Sequence, residues 1–136
     1  MTSALRGLAV LTVLLVFQAQ VAASVMRIDL NKGNQGKAGL KFAVTTRTDH
    51  GLVTVRLVMP RNQTELKHLW RVDVVMRKDK KTVVSAPLET KLENQDLTAE
   101  LLVDPDAMKG LEIWVRTGEH APLAETIYAI DVGSYK

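Results

Sequence analysis

The sequence predicts an all-β protein, an antiparallel two-sheet β-sandwich of about seven to eight strands. Three observations carry this expectation. From Val25 onward, hydrophobic and polar residues mostly alternate, the period of a strand with one buried face. Turn-forming residues interrupt that alternation about every 10–14 residues, the punctuation of a sandwich or barrel. No segment sustains the 3.6-residue period of a helix.

The strands read in order along the chain. Met26, Ile28 and Leu30 alternate with Arg27 and Asp29 in the first. Residues 31–39 (NKGNQGKAG) are a loop rich in Gly, Asn and Lys. Leu40, Phe42 and Val44 mark the second strand. Asp49-His50-Gly51 then reads as a hairpin turn, with Gly51 free to take positive φ. Val53, Val55, Leu57 and Met59 make the third strand, which Pro60-Arg61-Asn62-Gln63 closes. A short helical turn over residues 66–70 is the one helical expectation. In the fourth strand, Trp70, Val72, Val74 and Met76 share the core face, with Arg71, Asp73 and Arg77 opposite. Lys78-Asp79-Lys80-Lys81 is a charged hairpin tip.

Val84, Ala86 and Leu88 give a fifth strand, in which Pro87 marks an edge or a kink because proline cannot donate to a ladder. Leu97, Ala99, Leu101 and Val103 form the sixth, and Asp104-Pro105-Asp106 turns the chain. Leu111, Ile113 and Val115 form the seventh. After a turn over residues 118–122, Tyr128, Ile130 and Val132 line the eighth. One polar face per strand fits antiparallel sheets with one side wet. A closed barrel is the alternative arrangement.

The architecture resembles immunoglobulin and fibronectin type III domains. The turn from Val103 through Pro105 to Leu111 sits about where such domains pass between their sheets. No cysteine pair accompanies it, and the resemblance implies a fold and no function.

Length and composition bound the rest. A chain of 136 residues sets a ceiling of one domain. With 46% hydrophobic and 24% charged residues, it has the composition of a folded protein. Aromatic residues are only 4%, so Val, Leu, Ile, Met and Ala must build the core.

Residues 1–23 read as a secretory signal peptide and residues 24–136 as the single β-sandwich domain. Arg6 is the only charge of the leader. Residues 8–17 (LAVLTVLLVF) are its apolar stretch, and Gln18 and Gln20 follow. Val21 and Ala23 are small residues at −3 and −1 for a cut before Ser24. A membrane anchor needs about 20 apolar residues, roughly twice this run, so no stable span is expected after cleavage. A lipoprotein would need a cysteine at the cut, and the chain has none. The expected location is extracytoplasmic, secreted or periplasmic. Removing Arg6 takes the formal charge from +3 to +2, too small a balance to imply a nucleic-acid or anionic-membrane partner.

Candidate sites are few. A metal site needs two or three histidines to converge. His50 and His68 flank a strand of about eight residues, which separates them by roughly 25 Å, and His120 lies in a further turn. Solvated histidines fit this placement better than a metal or other cofactor. Met26, Met59 and Met76 fall on the inward face and read as core, not as copper ligands. Asp104 and Asp106 could offer oxygens to calcium, but they flank a proline, as turn residues do, and no EF-hand spacing is present. There is no thiol, and no serine lies in a nucleophile-elbow pattern. No catalytic residue is therefore assigned.

Trp114 is the most informative position. It lies opposite Leu111, Ile113 and Val115, on the charged face shared with Glu112 and Arg116. A large aromatic there is either a hot spot for a protein partner or a sugar ring, or a ring covered by a loop, by Arg116 or by a lysine. Trp114, Arg116 and Glu112 are the candidate partner contacts, and the strand edge near Pro87 is a second, through strand addition. Asn62-Gln63-Thr64 fits the N-glycosylation pattern in a surface turn. Lys78, Lys80 and Lys81 read as a solvated tip that discourages edge pairing.

These observations point to an exported, non-catalytic binding or structural module acting on an envelope or extracellular protein or polysaccharide. A small-ligand or metal-binding envelope protein is the alternative, and an exported hydrolase stands behind it.

Overall fold

The computed structural model describes residues 24–136, and the segment read as an export signal lies outside the described residues. Nine strands form two packed sheets. They are β1 (Ser24–Leu30), β2 (Ala43–Asp49), β3 (Leu52–Pro60), β4 (Leu69–Lys78), β5 (Lys81–Pro87), β6 (Lys91–Glu93), β7 (Asp96–Val103), β8 (Leu111–His120) and β9 (Ala124–Asp131). One sheet has the order β1-β9-β8-β4-β5 and the other the order β2-β3-β7-β6. The second order, and the run β9-β8-β4 in the first, match the A-B-E-D and G-F-C sheets of an immunoglobulin sandwich.

The core fills the space between the sheets. Val55, Leu57 and Met59 of β3 face Ile113 and Val115 of β8 and Ile130 of β9, all fully buried. In β3 the alternation is strict from Val53 to Met59, with every second residue inward. Leu40 and Phe42 are also buried, but they precede β2, which starts at Ala43. They plug the core from the crossing segment that carries the chain from one sheet to the other.

Two-residue loops join three hairpins, at His50-Gly51, Asp79-Lys80 and Asn94-Gln95. Both residues of each loop have positive φ, the geometry that matches the twist of paired strands.

Several expectations need correction. There are nine strands, because Lys91–Glu93 forms a short edge strand, β6, that pairs with β7. One pairing is parallel, β1 with β9, so the five-stranded sheet is mixed. The helical turn is a 3-10 turn at Thr64–Leu66, and β4 already begins at Leu69. Met26 is 62% exposed rather than core, because it sits at the outer end of an edge strand.

Trp70 is the largest departure. It was expected in the core and is 40% exposed on the outer face. The ladder between β4 and β8 shifts register between Leu69 and Arg71, so two residues of β4 oppose one of β8. Such a bulge breaks the strict alternation and turns the extra side chain outward. Leu69 keeps the inward position that period two would have given Trp70.

Candidate functional site

The outer face of the five-stranded sheet is not a simple solvated face. Beneath its charged surface, Val75, Ile127 and Ala129 are buried, as are Asp73 and Glu125. Long side chains from β1, β4 and β8 form a thin second layer over them.

That layer contains the same three-residue unit twice: a tryptophan, an arginine stacked on its ring, and a glutamate that binds both. In the first unit, the Arg116 guanidinium lies 4.7 Å from the Trp70 ring centre. Glu125 accepts from Trp70 Nε1 at 2.8 Å and from Arg116 Nη2 at 2.6 Å. In the second, the Arg27 guanidinium lies 5.1 Å from the Trp114 ring centre. Glu112 accepts from Trp114 Nε1 at 2.8 Å and from Arg27 Nη2 at 2.9 Å. In each, the carboxylate fixes the cation over the ring, so cation–π attraction and charge-assisted hydrogen bonds act on one geometry.

Strand pairing explains why these residues meet. Glu112, Trp114 and Arg116 alternate along one face of β8. Arg116 stands opposite Ile127 and Trp114 opposite Ala129 on β9. The small Ala129 side chain leaves room for long arms to cross β9. Arg27 reaches over from β1 in this way, and Trp70 comes from the bulge at the start of β4.

The first unit extends further. Arg116 Nη1 also donates to Asp73 at 3.1 Å, and Arg71 Nε donates to the other oxygen of Asp73 at 2.5 Å. The side chains of Asp73 and Glu125 are only 3% and 2% exposed. Hydrogen bonds from Arg116 to Glu125 first, and then to Asp73, outweigh burial and raise the arginine's pKa, so its charge is locked in.

The sequence-predicted contacts thus fall on one surface. Arg116 is the centre of the first unit, and Trp114 and Glu112 belong to the second. The cover over Trp114 is Arg27, not Arg116 or a lysine. Sequence reasoning missed Trp70, Glu125 and Arg27 as site residues. Glu125 had one available signal, a charge two residues before Ile127 on the polar face of the last strand.

At the end of the sandwich where β4 begins lies a pocket of about 390 Å³. The 3-10 turn supplies Thr64 and Glu65, His68 follows it, Thr117 and Gly118 come from β8, and Glu125, Thr126 and Tyr128 from β9. Close backbone approach shapes this end. A Cβ on Gly118 would lie 2.4 Å from the Ala124 carbonyl oxygen, so only glycine lets β8 and β9 converge there. Burial, and after it the Glu65 carboxylate, push the Tyr128 hydroxyl above the usual tyrosine pKa.

The other candidates are placed as follows. His68 and His120 lie at the pocket end and His50 at the opposite end of the strands. Among the described residues, no three His, Cys, Asp or Glu side chains group as a metal site. Asp104 accepts a hydrogen bond from the Asp106 amide at 2.9 Å, which caps the 3-10 turn Pro105–Ala107. Asn62 is exposed in the turn before Thr64. β5 with Pro87 is an edge strand, and Val83 is the extra residue of a bulge in it. No described helix is long and apolar enough to cross a membrane. Comparison with protein-family models and with curated proteins gives no match.

Proposed function

We propose that this chain is exported and that its sandwich is a non-catalytic binding module, with the outer face of the five-stranded sheet as its contact surface. One observation carries the reading: Trp70 is exposed yet held rigid, its indole N–H on a buried carboxylate and its ring under Arg116. Tryptophan and arginine are the side chains that most often dominate binding energy. Fixing them before a partner arrives removes the cost of ordering them at the interface. Trp114 and Glu112 continue the same surface. The partner is an envelope or extracellular protein or polysaccharide.

The edge near Pro87 is the weaker contact. Its bulge, proline and flanking Lys81 are the devices by which edge strands resist strand addition. The small-ligand alternative draws on the pocket at the end of the sandwich where β4 begins.

Two measurements test the reading. N-terminal sequencing of the protein recovered from the extracytoplasmic fraction should give a chain starting at Ser24. Cross-linking mass spectrometry in the native host should place cross-links to a partner around Arg71, Arg116 and Trp70. A full-length chain confined to the cytoplasm would refute export, and cross-links clustered on the β2-β3-β7-β6 sheet would refute the surface.

A further inference from the structure

Each sheet ends in two edge strands, and an open edge is a template for another strand. Three of these edges are blunted. β5 carries a bulge, a proline and Lys81. β6 is only three residues long. β2 has the C-terminal turn Val132–Tyr135 packed against it and exposes no large apolar side chain. β1 has none of these devices. It pairs with β9 in one unbroken register over seven residues and contains neither proline nor lysine. Its one cation, Arg27, is folded back over Trp114. Val25 and Met26 of β1 are exposed, as is Leu123 beside its first residue.

The backbone of this edge is open too. The Ser24 N–H donates to the Leu123 carbonyl at 2.7 Å, which turns the even-numbered residues of β1 toward β9. The N–H and C=O groups of Val25, Arg27 and Asp29 therefore face away from the sheet. Among the described residues, only the Asp29 carbonyl has a partner there, Asn34 Nδ2 at 3.1 Å, and a carbonyl oxygen can accept twice.

We propose that β1 pairs with β1 of a second copy, joining two five-stranded sheets into one. Two copies that share the same edge are related by a twofold axis, so their strands run antiparallel. The outward groups require Val25, Arg27 and Asp29 to form the hydrogen-bonded pairs. Charge then selects the register. An axis at Arg27 or at Asp29 would set like charges opposite each other, and an axis at Met26 would set Arg27 opposite an apolar valine. An axis at Ile28 sets Arg27 opposite the partner's Asp29 and Asp29 opposite the partner's Arg27. The exposed Val25 and Met26 lie within the paired stretch. Seven residues a side are fewer than the roughly 20–30 of a standard interface, so the dimer is a weak one. The axis stands perpendicular to the sheet, so both outer faces point the same way and a repetitive partner can engage both.

The test uses the protein purified from its own host, followed by sedimentation equilibrium and amide NMR from micromolar to millimolar concentration. A dimer should appear toward the millimolar end, with concentration-dependent shifts centred on Val25, Arg27 and Asp29. Asp29 is exposed, so Asp29→Lys keeps the fold, checked by circular dichroism. It sets like charges opposite each other and should weaken dimerisation by about tenfold. The chain has no cysteine, so Ile28→Cys supplies a single thiol. On the axis it meets its copy with about 4.5 Å between Cα atoms, within disulfide reach. It should oxidise to a disulfide dimer several times faster than Val83→Cys, which sits exposed on the bulge of β5. The proposal is overturned by a protein that stays monomeric at millimolar concentration, by association that Asp29→Lys leaves unchanged, or by shifts centred on another edge. It is equally overturned if Ile28→Cys pairs no faster than Val83→Cys, or if β1 is covered only by a strand of a different protein. None of these results bears on the contact at Trp70, which lies on β4, so the two readings fail separately.

Discussion

The two tryptophan units on the five-stranded sheet have the same parts and differ in exposure. In the unit of Trp70, Arg116 and Glu125, the carboxylate is buried and the indole is exposed. In the unit of Trp114, Arg27 and Glu112, the carboxylate is 18% exposed and the indole is half-buried. The first unit binds two buried carboxylates through one arginine; the second shares Glu112 with Arg77, 3.8 Å away, and its arginine with the exposed Asp29. The difference separates two roles. A dry carboxylate makes its arginine indispensable to folding, and the indole it anchors stays the more exposed of the two. A wetter carboxylate tolerates loss of its arginine, and the more buried indole serves packing.

The largest test of that contrast is Arg116→Ala. It removes the cation paired with buried Glu125 and one of the two on buried Asp73, and removal of one partner of a buried pair costs about 3–5 kcal/mol. Urea unfolding should show a loss of that size with little change in slope. Next, Trp70→Phe takes away an indole hydrogen bond to a buried charge, worth about 1.5–3 kcal/mol. Trp114→Phe should cost less, since water can reach Glu112. Arg27→Ala should lower stability by about 1 kcal/mol or less, as for partly exposed pairs. A loss at Arg27 equal to that at Arg116 would erase the distinction between the units.

The smallest effect is expected in alkali. Burial raises the pKa of Tyr128, and also that of Tyr135 near the opposite end of β9. A group with a raised folded pKa contributes stability that is complete below its unfolded value, about 10 for tyrosine, and that fades as pH rises through the folded value. Thermal stability should therefore decline above about pH 10, and Tyr128→Phe should flatten part of that decline. An unchanged alkaline profile in Tyr128→Phe would mean that this hydroxyl is not held in a drier place than the unfolded chain provides.

Much of this molecule is legible in its sequence because period two maps directly onto sheet faces. The strict alternation of β3 gave its inward residues, and the opposite faces of β8 separated Trp114, Glu112 and Arg116 from the core. What alternation cannot carry is which strands are neighbours. Arg27 and Trp114 lie far apart in the chain, and they meet only because β1 pairs in parallel with β9. Nor does alternation announce a bulge without glycine, so Trp70 was read one face too far inward. Met26 keeps the right period and yet has nothing to pack on, because burial depends on the other sheet reaching that far. The short strand β6 was missed for its length, although Asn94 in its tight turn is a residue that favours positive φ.

The central claim is that the exposed member of this pair of units makes the contact. The most direct measurement is partner capture by covalent cross-linking in the native envelope or secretome, run in parallel on the parent chain, Trp70→Ala and Trp114→Ala, each verified as folded. Specific capture that is lost in Trp70→Ala and largely kept in Trp114→Ala is the predicted result. Capture that survives Trp70→Ala, or falls only in Trp114→Ala, would contradict it.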